Sequence, residues 1–135
     1  MGDLTKNFSR YEVACKCGKC SGLPEDPEAL EYFMKELNWL QMVRDAYGLP
    51  INLSSGYRCP EYNASISSTG FTGPHTRGAF DILCSGVYAY LIVSVASRLG
   101  AGGIGVSQKG DWKSRFIHLD RDKSQYGTRP WIWSY

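Results

Sequence analysis

The longest regular pattern of apolar positions lies in the first half of the chain. Large apolar residues recur there at spacings of three and four, from Leu30 to Val43, which predicts an amphipathic α-helix. Asp26 and Pro27 are typical of a helix start, and the following Gly-Leu-Pro segment is typical of a helix end. The pattern therefore predicts a helix over Pro27–Tyr47, with its apolar stripe packed in the core.

Shorter apolar runs follow in the second half of the chain. A second helix is expected over residues 87–99, because a glycine ends that apolar stretch. Residues 63–73 are rich in Ser, Thr and Gly and are predicted to be a loop. Short strands are expected over residues 51–54, 79–84, 103–106 and 115–120.

This order of elements predicts a small α+β domain with an antiparallel sheet and flanking helices. A length of 135 residues and a mass of 15.1 kDa suit one domain over residues 1–135. Residues 1–22 are expected to form an irregular, cysteine-containing N-terminal arm. The aromatic tail, residues 130–135, is expected to pack against the body, and the domain is expected to be a monomer.

Composition narrows the classes of function. Hydrophobic residues make up 43% and charged residues 21%, which excludes disorder as the overall state. A net charge of +2 without a basic stripe argues against nucleic acid as a partner. The longest apolar run is too short and too polar to insert into a membrane. No signal peptide is recognised, so we expect synthesis in the cytoplasm and delivery by another factor.

Five cysteines are present, and three of them form a C-x-C-x-x-C segment in the arm. They are Cys15, Cys17, Cys20, Cys59 and Cys84. One interpretation, which the sequence favours, is one or two disulfides that tie the arm to the body. A second is a structural zinc held by three thiolates and a fourth ligand such as Cys59. The third is a set of reduced thiols in a Gly/Lys loop.

The two histidines, His75 and His118, each lie close to an aspartate. Side chains two apart on a strand share a face, so His118 and Asp120 point the same way, and Asp81 points away from its apolar neighbours. Two imidazoles and one carboxylate, with a fourth position open for water, make a catalytic zinc arrangement. The competing interpretation is a pair of ordinary, hydrogen-bonded buried histidines.

A zinc site of this kind would need a cation for the substrate's carboxylate or oxyanion. Arg58, in the turn after the first predicted strand, is the candidate, since a guanidinium suits a carboxylate better than an ammonium does. Other residues near this turn receive structural interpretations. Tyr57 is expected to pack under the turn, Asn63 to cap the loop, and Trp131 and Trp133 to cover the core or an edge.

Several segments together resemble a known family. They are SGYRCPEYN at 55–63, GPHTRGAFDI at 73–82, GIGV at 103–106 and FIHLD at 116–120. In this order they are similar to the zinc D-Ala-D-Ala carboxypeptidase and L-alanyl-D-glutamate endopeptidase family. That family includes bacteriophage endolysins and shares its metal-site architecture with the hedgehog signalling domain. The opening and the ending of the chain also resemble its small members.

The resemblance implies a zinc held by His75, Asp81 and His118, with Arg58 engaging the substrate or the developing charge. The implied reaction is hydrolysis of a peptide bond in peptidoglycan stem peptides, either D-Ala-D-Ala or L-Ala-D-Glu. The implied setting is phage-derived lysis or remodelling of the cell wall, reached after release by another factor.

Two departures from the family pattern leave alternatives open. The segment from His75 to Asp81 is one residue shorter than the family's His-x-x-Gly-x-Ala-x-Asp. Arg115 stands where many members have an acidic base, so Asp120 is the first candidate base and Asp111 the second. Asp120 is an equally good candidate for orienting a ligand imidazole.

These departures support a different class of function, a non-catalytic zinc-containing domain that recognises cell wall or a protein. A third hypothesis makes the cysteine cluster the main site, as a zinc-ribbon-like interaction module.

Overall fold

The computed structural model describes residues 2–123 and 127–135 of the chain. Over these residues the chain forms five strands, four α-helices and three short 3-10 turns. The helices are α1 (Arg10–Val13), α2 (Pro27–Tyr47), α3 (Pro60–Ile66) and α4 (Val87–Arg98). The strands are β1 (Asn52–Ser55), β2 (Ala79–Leu83), β3 (Gly103–Ser107), β4 (Phe116–Asp120) and β5 (Trp131–Ser134).

The strands form one sheet in the order β1-β2-β4-β3-β5. The first four strands pair antiparallel, as predicted, whereas β5 pairs parallel to β3 at the edge. The sheet is therefore mixed, and the aromatic tail packs against the body, as expected, in the form of an edge strand. The α+β class predicted from the order of elements is confirmed.

The core lies between the sheet and the helices. Phe80 and Ile82 of β2 and Ile117 and Leu119 of β4 are almost fully buried, so the faces predicted from strand alternation are correct. The apolar stripe of α2 supplies the opposite wall of the core with Phe33, Leu37, Leu40 and Val43.

Helix α2 has the predicted bounds because both of its ends are capped. The Asp26 carboxylate accepts a hydrogen bond from the Ala29 N–H at 3.0 Å. Gly48 ends the helix with φ of 80°, a left-handed conformation that glycine adopts without strain.

Helix α3 corrects the prediction of a loop over residues 63–73. Pro60 occupies the first turn of α3, where its missing N–H costs nothing, and Glu61 favours the positive end of the helix. The loop begins only after Ile66. The Ser-rich composition therefore hid a short helix that the Cys-Pro-Glu start indicates.

The N-terminal arm is more ordered than predicted. It contains the single turn α1, at whose start the Ser9 N–H donates to Glu12 Oε2 at 2.7 Å, and it buries Phe8 and Val13 in the core. All five cysteines are free, so the disulfides favoured from the sequence are not formed. In the described part of the chain, no helix is long and apolar enough to cross a membrane.

Candidate metal centre

Three separated segments bring His75, Asp81 and His118 together. His75 lies in a 3-10 turn over Pro74–Thr76, just before β2. Asp81 of β2 and His118 of β4 are direct partners in the antiparallel ladder. One ligand atom from each of the three residues lies within 4.8 Å of the others, and all three side chains are buried.

The Asp81 carboxylate stands between the two imidazoles. Its Oδ1 is 3.2 Å from His75 Nε2 and 3.1 Å from His118 Nδ1. Each imidazole uses its other nitrogen outside this group. His75 Nδ1 lies 2.7 Å from the carbonyl oxygen of Gly56, and His118 Nε2 lies 2.7 Å from Asp120 Oδ2.

These outer contacts fix the tautomers of both rings. A carbonyl oxygen only accepts, so His75 Nδ1 carries the proton, and an ionised Asp120 likewise accepts from His118 Nε2. The lone pairs of His75 Nε2, His118 Nδ1 and the Asp81 oxygen then converge and repel one another unless a cation lies between them. Metal-binding histidines are held in this way by outer partners, so the three residues fit a divalent metal.

The electrostatics of the group favour a cation at the same point. Burial opposes ionisation of Asp81, but without a metal a proton takes the cation's place, and positive charge on His75 together with hydrogen bonds from both imidazoles then holds the pKa of that carboxyl well below its usual range. Burial also acts to lower the pKa of His118, but hydrogen bonds to Asp120 and Asp81 raise it to about 9. Two buried carboxylates therefore surround this imidazole with negative charge.

The short spacing between His75 and Asp81 is absorbed before the strand begins. Arg77 and Gly78 form the link to β2. Gly78 packs closely against α2, since a Cβ at this position would come within 2.9 Å of the Glu36 side chain. The missing residue thus lies outside the ladder, and Asp81 keeps the face that strand alternation assigns to it.

Arg58 reaches the metal centre from the turn after β1. Its Nε donates to Ser55 Oγ at 3.0 Å, and one terminal nitrogen donates to Asn63 Oδ1 at 3.1 Å. The other terminal nitrogen donates to Asp81 Oδ2 at 3.3 Å. Arg58 is only partly exposed. Its charge is therefore held beside the candidate metal-ligand group, which consists of His75, Asp81 and His118, rather than in free solvent.

Asn63 has a larger role than the sequence indicated. It is fully buried in α3, and it also donates to Thr69 Oγ1 at 2.9 Å. It therefore caps the loop, as expected, and in addition holds Arg58. The buried amide is recognisable only once α3 is known to exist. Tyr57 packs under the turn as expected, edge-on to Phe33 with 6.0 Å between ring centroids.

The two candidate bases lie away from the cavity. Asp120 is 1% exposed, and its second oxygen accepts the Asp122 N–H at 3.1 Å. Asp111 is exposed in the turn after β3 and accepts the Lys113 N–H at 3.2 Å. The geometry favours the orienting role for Asp120. Arg115 stacks over the Trp112 ring at 4.0 Å.

The metal-ligand group opens into a cavity of about 520 Å³. The walls are polar on the side of the loop after α3, where Ser68 and Thr69 lie, and aromatic on the side of β5. Among the described residues of the cavity wall, Asp81 is the only carboxylate. The lining consists of Arg58, Ile66, Ser67, Ser68, Thr69, Pro74, His75, Asp81, Phe116, His118, Arg129, Trp131, Trp133 and Tyr135.

Strand β5 supplies the aromatic wall. The ring of Trp133 lies 5.1 Å from that of His118, and Tyr135 lies 5.1 Å from Phe116. A Cβ on Gly105 would come within 2.7 Å of Trp133 Nε1, so only a glycine lets the indole approach β3. Trp133 thus covers an edge of the sheet, as expected, and also lines the cavity. The alternation in WIWSY is the signal that indicates a strand.

The chain matches the model of a known protein family. A family model described as Peptidase M15 matches residues 6–120 of the 135. No curated protein matches the chain. The matched range includes the metal-ligand group, Arg58 and the cysteine segment, and it ends at the last residue of β4.

Proposed function

Because the chain belongs to the Peptidase M15 family, we propose that it is a zinc-dependent peptidase that cleaves a peptide bond in peptidoglycan stem peptides. The observation that supports this most strongly is the convergence of His75, Asp81 and His118 at the cavity floor. Their outer partners leave one ligand atom of each free for a metal.

The donor set fits zinc. Two imidazole nitrogens and one carboxylate oxygen form a catalytic zinc set that leaves a fourth position open. When bound there, zinc supplies a Lewis acid for the scissile carbonyl and lowers the pKa of a bound water toward about 7.

Arg58 has the position to bind a substrate anion. Ser55 and Asn63 hold two of its three donor nitrogens, so the guanidinium points into the cavity in a fixed orientation. A preorganised cation costs no reorganisation when charge develops on the substrate. We assign Arg58 the role of neutralising a substrate carboxylate or the oxyanion.

Asp120 acts through His118 in this proposal. It holds the proton of His118 Nε2, and so keeps Nδ1 available for zinc and the ring in place. Asp120 is therefore a positioning residue rather than the base.

The cavity suits an anionic peptide. Arg58 and Arg129 give it positive charge, and Trp131, Trp133 and Tyr135 give it apolar contact area. Stem peptides carry free carboxylates next to small side chains, which matches this combination. Either D-Ala-D-Ala or L-Ala-D-Glu is a fitting bond, and we propose a role in phage-derived lysis or in remodelling of the cell wall, after release by another factor.

The second candidate function is a zinc-containing domain that binds cell wall without cleaving it. The observation that favours it is the lack of a carboxylate other than Asp81 on the described cavity wall, since hydrolysis calls for a base near the attacking water.

Digestion of purified peptidoglycan separates the two functions. The enzyme should release stem-peptide fragments whose masses name the bond, and a chelator should stop the release. Asp81→Asn should lose both zinc and activity, whereas Asp45→Asn, an exposed aspartate of α2, should keep both. Binding to peptidoglycan without new fragments would instead support recognition.

A further inference from the structure

A second group of metal-binding side chains lies on the N-terminal arm. The sulfur atoms of Cys15, Cys17, Cys20 and Cys59 all lie within 4.8 Å of one another. Three of these residues belong to the C-x-C-x-x-C segment, and Cys59 immediately precedes α3. The fold therefore gathers four thiols from distant parts of the sequence, and the peptidase proposal uses none of them.

The spacing of the sulfurs fits a tetrahedral metal. Zinc–sulfur bonds of about 2.3 Å place sulfurs at the corners of a tetrahedron roughly 3.8 Å apart. The sulfurs of Cys17 and Cys59 are 3.9 Å apart. The chelate spacing C-x-x-C between Cys17 and Cys20 is also the one found in structural zinc sites.

The backbone around the cluster is arranged to stabilise thiolates. The N–H groups of Lys19 and Cys20 both donate to Cys17 Sγ at 3.3 Å. Gly18, with φ of 74°, makes the tight turn that aims both donors at one sulfur. Donors of this kind offset the negative charge that builds up on metal-bound sulfur.

Two more sulfurs of the group accept a backbone hydrogen bond. The Gly22 N–H donates to Cys20 Sγ, and the Cys59 N–H donates to Cys15 Sγ, both at 3.3 Å. The second of these bonds joins the arm to the residue that begins the α3 region. Four donors on three sulfurs are a built environment for charge, which a set of neutral thiols would not need.

We propose that Cys15, Cys17, Cys20 and Cys59 form a structural zinc site with four thiolate ligands, separate from the His/Asp/His centre. The site ties the N-terminal arm to the turn before α3. It closes on all four sides with protein ligands, which is typical of structural rather than catalytic zinc. The chain then binds two zinc ions.

Cobalt substitution tests this site in the wild-type protein. Thiolate ligands give cobalt(II) an intense sulfur-to-metal charge-transfer absorption, which the sulfur-free His/Asp/His centre lacks. The chain, reduced and freed of metal, should develop this band and reach its full intensity once two equivalents of cobalt have filled both sites. A fully loaded wild-type protein without the band would overturn the proposal, whether or not the protein cleaves peptidoglycan.

Variants assign the band to the four cysteines. In the His75→Ala background, one zinc should remain bound through dialysis against a chelator. Adding Cys20→Ser, which changes the exposed member of the group, should lose that zinc and the cobalt band. Adding Cys84→Ser, the cysteine outside the group, should keep both, and a Cys20→Ser protein that keeps its zinc would contradict the assignment.

Discussion

In the proposed zinc site, Asp120 acts from behind one of the ligands, His118. It is buried, it does not line the cavity, and its Oδ2 lies 2.7 Å from His118 Nε2. The Gly56 carbonyl does the same for His75. The orientation of both rings thus depends on acceptors that lie outside the proposed metal position.

Asp120→Asn should weaken zinc binding by about 10–100-fold, because the neutral amide holds the His118 proton less strongly. Competition with a zinc-sensing chelator measures this affinity, with Asp111→Asn as the matched exposed control. A normal zinc affinity with lost hydrolysis would instead identify Asp120 as the base.

Arg58→Lys should lower kcat/KM by about 100-fold while the zinc content stays unchanged. A lysine has no planar fork, so it cannot keep the contacts to Ser55, Asn63 and Asp81 and still meet the substrate. Steady-state kinetics on a defined stem peptide, with metal analysis of the same sample, measures the effect. An unchanged kcat/KM would show that Arg58 does not contact the substrate or the oxyanion.

At this scale the sequence predicted which residues meet but not how they are oriented. Strand alternation placed Asp81 and His118 on the faces opposite their apolar neighbours, because that period is a local property of the backbone. The choice between base and orienting residue for Asp120 depends on where its carboxylate points. That direction is set by a hydrogen bond from the Asp122 N–H and by the charge of Arg129, and both contacts exist only in the folded protein.

Among the elements, β5 links the fold most directly to the site. It pairs with β3 in parallel, and its Trp133 and Tyr135 side extends the cavity wall beyond the antiparallel strands. The close approach depends on Gly105, the residue of β3 that is paired both with His118 and with Trp133.

Gly105→Ala should destabilise the protein by about 1–3 kcal/mol and lower hydrolysis, because the new methyl group forces Trp133 away from β3. Urea unfolding gives the free energy of unfolding, and Ser107→Ala at the end of the same strand is the matched control. Equal free energies of unfolding for the two variants would show that β5 can move away from β3 without destabilising the protein.

The elements that the sequence predicted correctly are those with strong local sequence signals. Helix α2 was predicted to the residue because its caps and its apolar period agree. Helix α3 was missed because seven residues carry little periodicity, and its Ser and Ala residues suit a loop as well. The parallel pairing of β5 has no local signal, since it depends on a partner that lies far back in the sequence.

For the whole molecule, Asp122 is expected to make the free energy of unfolding depend on pH. This buried carboxylate receives the Tyr32 hydroxyl at 3.1 Å and lies 3.8 Å from Arg77 Nε. Burial and the neighbouring charge of Asp120 nevertheless raise its pKa from 3.8 to about 6. The folded protein therefore binds the proton more tightly than the unfolded chain does.

This difference should make the protein lose stability as pH rises from about 4 to about 6, the interval between the two pKa values. Asp122→Asn removes the titrating group, so its free energy of unfolding relative to wild type should rise over that interval and level off above it. Urea unfolding at pH 4 and pH 7 measures the difference. A difference independent of pH would contradict the assignment.

The position of Tyr135 also has a practical side. Its ring lies on the cavity wall, so any fusion partner or affinity tag joined after it emerges beside the opening through which a substrate must enter. Activity assays on a recombinant protein are therefore best made without an extension after Tyr135.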